Sequence, residues 1–316
     1  MKFASKFLLA KIQPTAGTDP TPDGSNSIET SDLTFNPYGG PTADFNQDRL
    51  TLGASKQINT SPENTASFNV QFSGSGTAGT EPAYGPLLRA CGLSETVDAG
   101  VSVTYAPVST GFEMVALYVM RVISSTVQYR HPLLDVKGNL SINATAQELP
   151  QFQFDNFTGL YVRPTRQTTL ITPDVSSFND ALAFTKANTP IFTWDSHAFC
   201  VNAFSFNLGN VISRTDQPGC QETNIEDRDP SGSLTVKATD PDTKDVYALI
   251  ESHLGDNLTA VSLQHGSTAG NIMTISLPKI QPRSISEQNV NGELYYQIDF
   301  AALPDSGDDE FELALT

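Results

Sequence analysis

Positive charge is scarce in this sequence. Eighteen Lys and Arg stand against 35 Asp and Glu, a formal net charge of −17. Affinity for phosphates comes mostly from basic side chains, so a chain this acidic is poorly suited to gripping nucleic acid. The acidity keeps a concentrated protein soluble, and it also lets a protein lie close to DNA without sticking. Cysteine is scarce too. Cys91, Cys200 and Cys220 are odd in number and far apart, which argues against a disulfide framework and points to reduced thiols in a cytoplasmic setting. Long apolar runs are missing, so no stretch reads as a membrane span. Between Lys6 and Lys11 the apolar segment is only Phe7 to Ala10, too short for a signal-peptide core, and no cleavage site follows. The Asn-x-Ser/Thr triplets at Asn59, Asn139, Asn143, Asn156 and Asn257 carry no weight without secretion.

Motifs for catalysis and metal binding are equally thin. Gly74-Ser75-Gly76-Thr77-Ala78-Gly79 fits the dinucleotide fingerprint in letters. No alternation of strands and helices surrounds it to build a parallel sheet, so it reads as a flexible loop. Asp240, Asp242 and Asp245 lack the Gly and the distal Glu of a calcium loop. Asn224 to Asp229 reads as a mixed charged loop. His131, His197, His253 and His265 make no ligand spacing with one another or with cysteine. Ser276-Leu277-Pro278-Lys279 fits S-x-x-K only formally, at the end of a strand with Pro inside it, and no G-x-S-x-G elbow occurs. The sequence therefore nominates no catalytic, cofactor-binding or metal-binding residue, and a non-enzymatic role is expected.

What the chain does contain is uncharged polar residues, 22 Gly and 20 Pro, with 38% hydrophobic and 17% charged residues. That is a folded composition, and one suited to sheet faces and turns. A mainly β (α+β) fold is expected. Tyr84, Leu87, Leu88 and Cys91 mark an amphipathic helix, with Thr80 as its cap, Pro82 in its first turn and Gly92 at its end. Tyr247, Ile250 and Leu254 mark a second, between Thr243 and Gly255. Each is preceded by an alternating strand, Ser67–Phe72 and Ser233–Ala238. Each is followed by a strand-turn-strand hairpin: Val101–Tyr105 then Met114–Met120, and Ala260–Leu263 then Ile272–Leu277. Each half ends in a similar strand, Gln151–Leu160 and Leu294–Leu303. Leu50–Ser55 matches Phe206–Val211 further upstream. Five elements in one order indicate a duplication. Each unit is expected to be a sandwich or partial barrel with one flanking helix. The expected boundaries are an N-terminal arm over 1–40, a first domain over 41–165, a connector over 166–194 and a second domain over 195–316. Residues 13–40 are Pro- and Gly-rich; they are expected either to be disordered or to order on a neighbouring subunit.

Several stretches resemble the tail tube (major tail) proteins of long-tailed, non-contractile bacteriophages. They are Leu8–Ile12, Gly74–Val97, Val103–Ser109, Phe157–Tyr161 and Lys186–Pro190, with weaker matches at Pro230–Ser233 and Pro278–Gln281. The resemblance implies a tail tube subunit, a virion component made and assembled in the host cytoplasm, and with the internal repeat it makes two tandem tail-tube-type domains the expected architecture. It implies a tight hairpin over Val122–Arg130. It also implies self-association into stacked rings around a channel for DNA, and contact with a tape measure protein and tail terminator or distal tail proteins. It supplies no catalytic residue. Two fold copies per chain make a trimeric, pseudo-six-fold ring the expected assembly, with a net negative inner sheet surface. A tandem β-sandwich adhesin or carbohydrate-binding module of the virion is the alternative.

Overall fold

The computed structural model describes residues 5–251 and 258–316. Its first strands are β1 (Lys6–Gln13), β2 (Ser27–Ile28), β3 (Ser31–Gly39), β4 (Thr42–Asp44), β5 (Gln57–Asn59) and β6 (Glu63–Gln71). Helix α1 (Gly85–Ala90) follows, then β7 (Leu93–Asp98), β8 (Ser102–Pro107), β9 (Met114–Ser124), β10 (Val127–Thr145), β11 (Gln151–Tyr161) and β12 (Thr165–Gln167). The second half holds β13 (Ile191–Trp194), β14 (His197–Ala198), β15 (Val201–Asn207), β16 (Asn210–Gln217), β17 (Cys220–Arg228) and β18 (Ser231–Lys237). Helix α2 (Val246–Ile250), β19 (Thr259–His265), β20 (Met273–Val290), β21 (Glu293–Ala302) and β22 (Glu312–Leu315) complete it. The mainly β expectation holds.

Alternation decides which face of each strand is buried. On β6, Asn64, Ala66, Phe68 and Val70 point inward while Thr65, Ser67 and Asn69 stay half-exposed. That period of two is the signature of a sheet with one covered face. Phe68, Phe152, Phe154 and Phe157 pack against one another beneath it. The core continues through Phe204, Phe206, Leu234, Val236, Ile298 and Phe300 in the second half.

The duplication is present as a pairing order. Antiparallel neighbours run β1–β9–β10–β11–β6–β3 in the first unit. They run β13–β19–β20–β21–β18–β15 in the second. A two-stranded hairpin, β4–β5 or β16–β17, sits at the same place in each. The correspondences differ from those expected. Met114–Met120, in β9, matches β19 and not Ile272–Leu277. Val101–Tyr105 does not pair with β9: β8 pairs with β7 and with β22, and no equivalent of this hairpin occurs among the described residues of the second unit. Leu50–Ser55 forms no strand and is fully exposed, because the true counterpart of β15 is β3. Residues 13–40 order within the chain, since β3 pairs with β6 and Gln13 is buried against Asp135. Asn224–Arg228 is strand, not loop, with Ile225 buried. The hairpin over Val122–Arg130 is present, turning between Ser124 and Val127.

Both helices are shorter than their apolar spacing suggests. Tyr84, not Thr80, occupies the N-cap of α1; no side chain caps it, and Pro86 lies in the first turn. Gly92 ends it with a positive φ of 78°. Asp245, not Thr243, caps α2 by accepting from the Ala248 N–H at 3.1 Å. Leu254, Gly255, His253 and Asn257 lie outside the described residues.

Candidate assembly interface

The two units meet along a strand seam. The C-terminal part of β10 pairs with β15, Ser141 opposite Asn207 through Thr145 opposite Ala203. Side chains lock the register. Asn139 Nδ2 donates to Asn207 Oδ1 at 2.9 Å, and Asn139 Oδ1 accepts from the Asn210 N–H at 3.0 Å. Asn210 Nδ2 donates to the carbonyls of Cys91 (2.7 Å) and Gly138 (3.0 Å). Beneath the seam Ile142, Ala144, Phe204 and Phe206 are buried, and the Phe206 ring stacks on Phe311 with centroids 4.7 Å apart. The β16–β17 hairpin then lies over the first unit. Asp216 accepts from Ser61 Oγ at 2.7 Å, Arg214 donates to the Pro62 carbonyl, and Ile225 packs near Gly92 and Phe112.

Among the described residues the equivalent seam on the second unit is unfilled. Phe154 faces Phe68 and Leu140 as Ile298 faces Leu234 and Ile285. Residues 286–290 of β20 therefore correspond to 141–145 of β10. Among the described residues they pair only with β21, and β3 pairs only with β6. Beside the β20 edge, Tyr247 and Leu294 are each 44% exposed and Tyr296 is half-buried. Their first-unit counterparts Tyr84, Pro150 and Phe152 are buried. The edge itself carries Glu287 and Asn289 where β10 has Ile142 and Ala144. Charged and amide side chains of this kind keep an open edge from pairing indiscriminately.

The sheet face opposite the core is continuous across both units, in the order β3–β6–β11–β10–β15–β18–β21–β20. It is paved with hydroxyls and amides that bond sideways to each other. Asn143 bonds Gln153 at 3.1 Å, Ser205 bonds Ser233 at 2.9 Å and Gln288 bonds Gln297 at 3.1 Å. Charge on it is sparse: Asp32, Asp155, Glu293 and Asp299 outnumber Lys237 and Arg283, and Lys237 is paired with Glu293 at 2.7 Å.

A family model described as phage tail tube protein matches residues 4–314, nearly the whole chain. The chain belongs to the phage tail tube protein family. No curated protein matches it. A tail tube protein is a structural component of the virion, and the features that fit this role here are strand edges and surfaces.

The motifs that imitate chemistry have structural roles in this tail tube protein. The Gly74–Gly79 loop is docked, not flexible. The Gly74 N–H donates to Asn271 Oδ1 at 2.6 Å and the Gly76 N–H to the Gly270 carbonyl at 2.8 Å. A Cβ on Gly74 would lie 2.3 Å from the Gly270 carbonyl oxygen, so glycine is required by close approach of the two units. Lys279, of the formal S-x-x-K, pairs with Asp305. Asp240 accepts from the Asp242 N–H, and Asp245 caps α2. His131 and His265 are separately buried, and burial lowers both pKa values. His265 is held between Thr189 Oγ1 at 2.8 Å and the Leu182 carbonyl at 3.1 Å. Lys137, on β10 over the Phe112 ring, donates to the Glu113 carbonyl, and burial pulls its pKa down to about 8. Among the described residues no group of three or more His, Cys, Asp or Glu could hold a metal ion, and no helix is long and apolar enough to cross a membrane. Sequence reading missed the open edges of β3 and β20. The available signal was polar residues at core-facing positions of β20, Glu287 and Asn289.

Proposed function

We propose that three copies of this chain close a pseudo-six-fold ring, and that rings stack into the tail tube of a long-tailed, non-contractile phage. The observation that carries this is the β10–β15 seam together with its unfilled counterpart. Placing β3 of one copy against residues 286–290 of the next repeats between chains the join already made within one. The corresponding register sets Ser286 opposite Asn36 and Gln288 opposite Thr34. The exposed Tyr247 and Leu294 then come under cover as Tyr84 and Pro150 do. We take each unit as one tube-fold domain: the first is 41–165 with β1 and β3 drawn from residues 1–40, the second is 195–316 with β13 drawn from the end of the connector 166–194. Strands β1 and β13 complete their edges.

In such a ring the continuous polar sheet face lines the channel. Its carboxylates outnumber its two basic groups, and its amides and hydroxyls are largely bonded to each other. That surface repels or ignores phosphates, which suits DNA passing without specific binding. Family membership supports self-assembly in the virion. Assembly in the host cytoplasm and contacts with a tape measure protein and terminator or distal tail proteins are part of the same proposal. Mass photometry of the purified protein on dilution from tubes tests the ring. Trimers as the smallest closed species support it; hexamers overturn it.

A further inference from the structure

Resting on the ring reading, we propose that the β4–β5 hairpin is a clasp that folds over the second unit of the adjacent copy of this chain. Every residue from 41 to 58 is exposed. Leu50 and Leu52 are fully open to solvent, and Phe45 and Ile58 are 42% and 44% exposed. The hairpin is short: Thr42–Asn59, Ala43–Ile58 and Asp44–Gln57 form its ladder, and bonds from the Phe45 N–H to the Lys56 carbonyl and from the Thr60 N–H to the Pro41 carbonyl extend it by one step at each end. A lone two-stranded ribbon of this kind is marginal in water, and four apolar side chains on its surface are what a docking element carries.

The docked state of such a hairpin is visible in the same chain. β16–β17 occupies the equivalent place between β15 and β18, and it is seated. Thr223 and Ile225 are buried, Arg214 reaches the Pro62 carbonyl, and Asn210 bonds Gly138 and Cys91. It covers the unit whose β10 holds β15, near Gly138 and the end of α1. The β4–β5 hairpin follows β3 as β16–β17 follows β15. It therefore covers the unit whose β20 holds β3, which is the second unit of the neighbour. Gly138 corresponds to Arg283 there, because Leu140 corresponds to Ile285. Arg283 is exposed, and the hairpin brings Asp44 and Asp48 toward it.

Two variants test the clasp. Leu50→Asp with Leu52→Asp should leave the circular dichroism and melting of the monomer unchanged, since both side chains are already in water. It should raise the concentration needed for tube formation at least about tenfold. The second places Ile58→Cys and Arg283→Cys in a chain whose exposed Cys200 and Cys220 are replaced by Ser. A flexible bismaleimide should then give covalent dimers and trimers, and nothing larger, from assembled protein, and no cross-linked species from monomer. Tubes forming at the wild-type concentration despite both aspartates overturn the clasp, as does an absent or purely intrachain 58–283 link in assembled rings. If those rings still show β3 against β20, only the clasp falls. If the wild-type chain closes no ring, both readings fall together.

Discussion

Phe206 and Phe35 occupy equivalent positions in the two units, yet their truncation should have different consequences. Phe206 lies opposite Ile142 on β10 and Gly232 on β18, is 1% exposed, and stacks on Phe311. Phe35 lies opposite Ala66 on β6, makes an edge contact with His131 at 5.2 Å, and remains half-buried on the open side of β3. Phe206→Ala leaves a hole in a seam already closed within the chain, at a cost of about 3–5 kcal/mol. Against a total stability of roughly 5–15 kcal/mol that is a large fraction. Phe35→Ala removes a ring whose burial is only partial in the single chain, costing about 1–2 kcal/mol there. Its larger effect should appear on assembly, where an inter-chain seam would bury the rest. Urea unfolding of the monomer followed by circular dichroism reads the first quantity. Pelleting of tubes across a concentration series reads the second. Equal monomer destabilisation by the two variants, or wild-type assembly of Phe35→Ala, would refute the assignment of one seam to the chain and the other to its neighbour.

Other consequences are simpler to measure. Gly74→Ala forces a Cβ toward the Gly270 carbonyl and should destabilise the monomer by about 1–3 kcal/mol, read as a lower Tm; an unchanged Tm would contradict the close approach. The pKa of Lys137 in the folded chain is about 8, below its unfolded value, so the unfolded chain binds more protons above pH 8. The Lys137 contribution to stability should therefore rise between about pH 8 and pH 10, and Lys137→Met should remove that rise while stabilising the protein at pH 7. A pH dependence identical in wild type and variant would count against it. Cys200 and Cys220 are exposed and Cys91 is buried, with burial holding its thiol well above the ordinary pKa. Maleimide should label the first two in native monomer and reach Cys91 only on unfolding; rapid native labelling of Cys91 would contradict the packing around α1.

Much of this architecture was legible in residue order. Alternation in Ser67–Phe72 and Ser233–Ala238 located β6 and β18, and the two helices were found by their apolar spacing. The repeat was legible as well, but its alignment slipped. The β7–β8 hairpin is inserted between α1 and β9, so counting strands forward from the helix matched β8 to β19. Pairing is a long-range property, and β8 finds its partner in β22 at the far end of the chain. Caps were misplaced by a few residues for a local reason. Thr80 lies before a turn in which the Gly85 N–H donates to the Pro82 carbonyl, which delays α1 until Gly85. The Gly-rich loop deceived in another way: Gly74 and Gly76 answer to Gly270 and Asn271, residues nearly two hundred positions away, and Gly79 to Asp98 and Gly100. The open edges of β3 and β20 were least visible, because an open edge is defined by a pairing that is missing among the described residues.

The central claim is that each chain supplies two of the six fold copies in a ring and that β3 closes the ring on β20. Cryo-electron microscopy of assembled tubes measures this directly. Three chains per ring, with residues 286–290 hydrogen-bonded to β3 of the next chain, is the predicted result. Six chains per ring, or β3 and the β20 edge both facing solvent in the tube, would contradict it.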